Sequence, residues 1–277
     1  MERTPYQCSV HTHTVFCDGR NTAEEMAAAA FALGVRHYGF SGHSHTPVPY
    51  DRDVGMALDL TDYRRELERL REVYRGRLEI LWGIEQDSCS PQPVPDWLDY
   101  WIGSVHSIQD PETGTYYGMD YSREMLQRCA RELCRGDMLA VTEAYYRDVG
   151  DMAERKPTIL GHIDLVTKMN GDGSLFDEDC PRYRRAALEA LHRADPAATL
   201  LEINTGAISR GYRKTPYPAP FLLEEWRRMG GRIILTADTH WADTILYGYA
   251  LAAERARAAG FDSAVILTLD GAQDCAL

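Results

Sequence analysis

The sequence predicts an α/β protein in which parallel strands of one barrel alternate with helices, in a single domain spanning residues 1–277. Three observations predict it. Apolar runs of strand length alternate with amphipathic runs of helix length from end to end, and such alternation builds parallel sheets. No Ser/Gly-rich linker, charge block or repeat divides the chain. Histidines and carboxylates follow the apolar runs, and the C-terminal strand ends of a barrel form one face where distant residues meet.

In chain order, residues 7–11 read as the first strand, and Thr22 with Glu25 forms a capping box that opens an alanine-rich helix. A second strand covers 37–41, then a loop marked by Pro47 and Pro49 leads to an amphipathic helix over 61–74. Strands follow over 79–84 and 100–105. Ser122 opens a helical stretch that runs to about Lys156 with a break near Gly136. Strands over 158–161, 199–204 and 232–237 then alternate with helices over 181–194, 220–229 and about 243–259. That makes seven barrel strands. The apolar run 264–269 is either an eighth or a peripheral one.

With 44% apolar and 10% aromatic residues, the chain can build a sizeable core. A net charge of −12 argues against a basic nucleic-acid surface. No run approaches the roughly 20 apolar residues that span a bilayer, and the N-terminus has no apolar signal region. The expectation is a soluble, cytoplasmic protein without a membrane or nucleic-acid partner; nothing in the sequence fixes its oligomeric state. Seven scattered cysteines with no Cys-x-x-Cys make a disulfide framework or zinc ribbon improbable. Cys17, close to a histidine pair, reads as a small packed residue.

The chemistry concentrates at strand ends. His11 and His13 lie two apart, so a strand end would present both imidazoles on one face. His43, His106, His162 and His240, with Asp18, Glu85 and Asp238, complete nine candidate metal ligands. A single catalytic zinc takes about three protein ligands, so nine suggest two or three ions. Mixed imidazole and carboxylate donors suit zinc, manganese or iron, with Glu85 placed to bridge. Three divalent ions against three carboxylates leave roughly +3 in an acidic protein, a field that draws an anionic substrate. Clustered ions generate hydroxide near neutral pH and clamp both oxygens of an in-line displacement, so phosphate ester hydrolysis fits best and carbon–nitrogen hydrolysis competes. His37 and His192 read as structural, and His45 stands between ligand and substrate contact.

His-Thr-His-Thr-Val-Phe-Cys-Asp-Gly, Phe-Ser-Gly-His-Ser, Gly-Ile-Glu-Gln-Asp, Gly-Ser-Val-His-Ser, Gly-His-Ile-Asp-Leu-Val and Thr-Ala-Asp-Thr-His resemble the motifs of the PHP (polymerase and histidinol phosphatase) family, in order from residue 8 to about 250. The chain is most similar to the histidinol-phosphate phosphatase branch, through Glu202-Ile-Asn-Thr-Gly, Tyr212-Arg213 and Pro216-Tyr217-Pro218 among others. The resemblance implies a distorted (β/α)7 TIM-like barrel holding three ions. One ion would be held by His11, His13, Glu85 and Asp238, a second by Glu85, His106 and His162, and a third by Asp18, His43 and His240. It further implies phosphate contacts from Arg210, Arg213, Lys168 and His45, and catalytic roles for Asp18, His45 and His240. Asp87 and Asp164 would orient ligating imidazoles.

The implied reaction is hydrolysis of L-histidinol phosphate, a small phosphate ester, by a metal-bridging hydroxide. A broader phosphatase or phosphodiesterase and a non-catalytic binding module are the other readings. Two departures bear on this. Many relatives carry histidine where Asp18 stands, and a basic residue at the position of Thr167.

Overall fold

The structure, a computed structural model, describes residues 3–50 and 60–277. Strand β1 (Cys8–Ser9) leads to helix α1 (Ala23–Ala32), where Thr22 Oγ1 accepts the Glu25 N–H and Glu25 accepts the Thr22 N–H, as the capping box requires. Next come β2 (His37–Phe40), α2 (Thr61–Val73), β3 (Glu79–Trp82), β4 (Glu85–Asp87) and β5 (Ile102–Ser104). The hairpin β6 (Ser107–Gln109) and β7 (Tyr116–Gly118) precedes α3 (Arg123–Glu132) and α4 (Met138–Glu154), which break around Gly136 as expected. The chain continues through β8 (Ile159–Leu160), α5 (Pro181–His192), β9 (Leu200–Asn204), the one-turn α6 (Gly206–Ser209), α7 (Pro220–Arg228), β10 (Arg232–Thr236), α8 (Tyr249–Ala258), β11 (Ser263–Thr268) and β12 (Gly271–Ala276).

The strands form an α/β fold of two main sheets rather than one continuous ladder. Strands β1, β2 and β3 pair in parallel. A seven-stranded sheet runs β12-β11-β10-β9-β8-β5-β4, parallel except for the antiparallel β11–β12 pair. Isolated parallel bridges join the two sheets at strand tips, His43 with Glu85 on one side and Thr12 with Thr239 on the other. At the second seam the His13 N–H donates to Thr239 O and the Thr239 N–H to His11 O.

Local chemistry explains the departures from the expected elements. The expected strand 79–84 splits because Trp82 O accepts the Asp99 N–H and Gly83 O accepts the Tyr63 hydroxyl, so these carbonyls are withdrawn from the ladder. The run 264–269 forms β11, which meets β10 through one residue pair, Ile234 with Val265, buries Ala264 to Leu267, and pairs antiparallel with β12 at the sheet edge. The helix expected over 243–259 is a 3-10 turn (Ala242–Thr244) followed by α8, divided where Gly248 takes φ +74°, a left-handed conformation that glycine adopts without a Cβ penalty.

Three apolar clusters hold the elements. One packs α3, α4, α5, α7 and α8 on β8 to β10, and a second packs α1 and α2 on β2 and β3. The third is interior and draws Cys8, Leu81, Ile102, Ile159, Leu200, Ile234 and Val265 from successive strands. Tyr100 spans this interior, its hydroxyl donating to Val10 O and Phe40 O. No helix among the described residues is long and apolar enough to cross a membrane.

Candidate metal centre

All nine expected ligands converge in one place, eight of them beside strand ends and Asp18 from the loop between β1 and α1. His11 and His13 follow β1, His43 follows β2, Glu85 opens β4, His106 follows β5, His162 follows β8, and Asp238 and His240 follow β10. Glu85 sits at the middle. Its Oε1 lies 2.9 Å from His162 Nε2 and 3.3 Å from His106 Nε2. Its Oε2 lies 3.3 Å from His11 Nε2, 3.4 Å from His13 Nε2 and 3.0 Å from His43 Nδ1. Each oxygen thus faces a different set of imidazoles, the arrangement a bridging carboxylate needs.

Four groups of donors lie close enough to share an ion: His13, Asp18, His43 and His240; His11, Glu85 and His162; His11, His13 and Asp238; and His43, Glu85 and His106. Asp238 Oδ1 is 3.7 Å from His11 Nε2 and 3.4 Å from His13 Nε2. Asp18 faces His240 Nε2 at 3.1 Å, His13 Nδ1 at 3.5 Å and His43 Nε2 at 3.6 Å. His43 therefore addresses Glu85 through one nitrogen and Asp18 through the other.

The donors fit divalent cations. His11 Nε2, His13 Nε2, Asp18 Oδ1 and Glu85 Oε2 are buried without a hydrogen-bond partner, although buried polar atoms are nearly always paired. Burial, with His240 and His43 alongside, pushes His13 down to about 3, so its imidazole is neutral at physiological pH, the form that ligates metal. Burial would raise the Glu85 carboxyl, but His11, His43 and His106 outweigh it and hold it well below the usual range.

Carboxylates behind the cluster fix two of these rings. His106 Nδ1 lies 2.9 Å from Asp87 Oδ2, as expected of Asp87. His11 Nδ1 lies 2.5 Å from Glu202 Oε1. Glu202 also accepts the Thr236 hydroxyl, the His162 backbone N–H and the Asn204 amide. This fully buried acid was not among the expected site residues, although a charge inside Leu-Leu-Glu-Ile-Asn is a signal, because a buried charge needs a partner. Asp164 differs from expectation. It meets no imidazole and accepts the Ala219 N–H, because its side chain turns toward the 217–219 segment.

A cavity of about 400 Å³ opens on the cluster. Lys168 and Arg210 line it, as expected of phosphate contacts. Lys168 Nζ donates to Asp120 at 2.8 Å. Arg210 donates to Asp238 O at 3.0 Å and to Asp238 Oδ2 at 2.8 Å, clamping a residue whose φ is +47°. Gly206 permits this clamp, since a Cβ there would come within 2.6 Å of Asp238 Oδ2 and 2.8 Å of Arg210 Nη2.

Two expected contacts are corrected. Arg213 does not line the cavity; it forks onto Glu178 at 2.8 and 3.0 Å and donates to Thr167 O, a structural brace. His45 does not line it either, because the chain past His43 turns Ser44 and Thr46 inward instead. His37 pairs with Glu79 and His192 with Glu225, away from the cluster, and Cys17 packs 3.5 Å from His13 Nδ1. Aromatic residues stand at the mouth: Tyr50, Tyr121 and Trp241, which carried no motif, and Tyr212, which entered the sequence reading only beside Arg213.

Fold and site together define an α/β protein with a histidine- and carboxylate-lined pocket, suited to divalent metal, at its strand ends. The chain belongs to the PHP domain family, whose model matches residues 9–206. Asp238, His240 and Arg210 lie beyond that match yet complete the pocket. The chain is 26% identical to the histidinol-phosphatase of Bacillus subtilis, covering 88% of this chain and 97% of that protein. It is 26% identical to the histidinol-phosphatase of Lactococcus lactis over 84% of this chain and 83% of that one. Its fold matches a crystal structure of histidinol phosphate phosphatase from Lactococcus lactis, complexed with zinc, L-histidinol and phosphate, at a TM-score of 0.68 and 19% identity, covering 96% and 99% of the two chains.

Proposed function

We propose that this protein is a metal-dependent phosphomonoesterase that hydrolyses L-histidinol phosphate to L-histidinol and phosphate. The observation that carries the reading is Glu85, whose two oxygens face separate imidazole sets at 2.9–3.4 Å, beside buried ligand atoms that have no other partner. Full-length relatives named histidinol-phosphatase supply the substrate. We read the whole chain as one catalytic unit and its strands as a distorted seven-stranded barrel; the interior cluster and the two tip bridges support this. Seven free cysteines support a reducing, cytoplasmic setting.

We assign His11, His13, Glu85 and Asp238 to one ion, Glu85, His106 and His162 to a second, and Asp18, His43 and His240 to a third, drawn from zinc, manganese and iron. His13 and His43 each face two of these groups. Such ions, when bound, supply an activated water and neutralise charge at phosphorus. Lys168 and Arg210 bind the phosphate oxygens from the cavity wall. In-line attack by water breaks the ester P–O bond, and Asp18 takes the proton and passes it to the leaving alkoxide. Burial would raise the Asp18 carboxyl, but His43, His240 and His13 hold it well below the usual range, so it stands ionised. His240 Nε2, 3.1 Å from Asp18 Oδ2, holds that carboxylate in place beside the reacting centre.

The test is a panel of phosphate esters with manganese or zinc, together with elemental analysis. L-Histidinol phosphate should exceed 4-nitrophenyl phosphate in kcat/KM by at least about a hundredfold. Equal turnover would favour the broader phosphatase. His11→Ala should lose bound metal and activity together, and an active, metal-loaded variant would remove the assignment.

A further inference from the structure

We propose that Asp120 is the specificity-determining residue of this cavity, binding the ammonium group of phosphate esters whose alcohol carries an amine. This rests on the phosphomonoesterase reading and names what the organic half of the substrate must offer. Five carboxylates line the cavity among the described residues: Asp18, Glu85, Asp87, Asp120 and Asp238. Four are engaged by the histidine cluster. Asp18, Glu85 and Asp238 face its imidazoles, and Asp87 holds His106. Asp120 contacts none of the histidines. Its partner is Lys168, at 2.8 Å, and a quarter of its side chain faces the opening (25% exposed).

The Asp120 surroundings already accommodate a primary ammonium. Lys168 Nζ rests on the Asp120 carboxylate and over the Tyr212 ring, 4.9 Å from its centroid, so the wall supplies both an anion and an aromatic face. Tyr121 adjoins Asp120 in sequence, is 59% exposed, and packs 5.1 Å from Tyr50 at the same mouth. Burial would raise the Asp120 carboxyl, but Lys168 and His106 outweigh it and hold the group ionised at about 2. When a phosphate dianion enters between Lys168 and Arg210, the lysine gains a second anion. A carboxylate offers about four lone-pair sites, so Asp120 then has capacity for a substrate N–H. An ester without the amine leaves that capacity unmet in a partly dehydrated wall, and discrimination of at least about tenfold follows.

The experiment compares L-histidinol phosphate with its desamino analogue, 3-(imidazol-4-yl)propyl phosphate, in the metal-loaded enzyme. Asp120→Asn, nearly isosteric, should lower kcat/KM for the amino ester at least tenfold more than for the analogue, mainly through KM. Lys168→Met should lower both esters alike, since it serves the phosphate. Equal losses in Asp120→Asn would overturn the proposal and leave Asp120 as a positioning residue for Lys168. A metal-loaded wild type that turns over neither ester would remove the functional reading itself, a different result from equal losses.

Discussion

At the scale of single residues, the site depends on groups that never reach the cavity. Glu202 accepts His11 Nδ1–H and Thr236 Oγ1–H on one oxygen and the His162 N–H and Asn204 amide on the other. One carboxylate therefore fixes the tautomer of His11 and the position of His162, assigned here to two different ions. All four partners donate, so a Gln side chain would turn its NH₂ against two donors. Glu202→Gln should weaken metal binding by about 10–100-fold, the usual effect of losing such an outer partner. Competition with a chelator measures it, and wild-type affinity would show that the strut is dispensable. Eight of the nine ligands were legible because they stand beside strand ends, and Asp18 through the motif that follows His11 and His13. Glu202 was not, because its role comes from the approach of β9 to His11 across 191 positions. His45 misled for the opposite reason: it stands close to the ligand His43 in sequence, yet Ser44 and Thr46 line the cavity in its place.

At the scale of elements, helices read well and strands less so. The Thr22 capping box and the break near Gly136 are local signals, set within a few residues. The short β8, the divided 79–87 segment and the hairpin β6–β7 depend on which distant carbonyl takes each N–H, which periodicity does not encode. Helix α4 carries a testable consequence. Burial raises Asp148 to about 6, with Asp151 adding to the shift and Arg147 opposing it. In the unfolded chain an aspartate titrates near 3.9. Between those values the native state holds a proton that the unfolded state lacks, so stability falls as pH rises from about 4 to about 6, and the loss persists above. Asp148→Asn abolishes the titration. Its stability relative to wild type should grow across that window by about 1–2 kcal/mol, or a few degrees in Tm. Thermal unfolding between pH 4 and 7.5 measures this; a constant offset would mean that Asp148 titrates normally.

For the whole molecule, the metal centre and the closure of the fold are one problem. The two main sheets meet at the isolated bridges His43–Glu85 and Thr12–Thr239, and both seams lie among the expected ligands. Elsewhere the ladders are longer, as between β9 and β10, where five residue pairs match. Cations shared by His11, His13, Glu85 and Asp238 would draw both seams together and give partners to buried atoms that otherwise have none. Each buried polar atom left unpaired costs about 1–3 kcal/mol. Since a ligand that binds only the native state stabilises it, stripping the metal should lower Tm by on the order of 10 °C, and zinc or manganese should restore it. Hydrogen exchange locates the effect: the His13 and Thr239 amides at one seam and the Ser44 and Glu85 amides at the other should lose protection first, while the β9–β10 ladder keeps it. An unchanged Tm with uniform exchange would separate metal binding from closure. The ligands would then be passengers on a fold that closes without them.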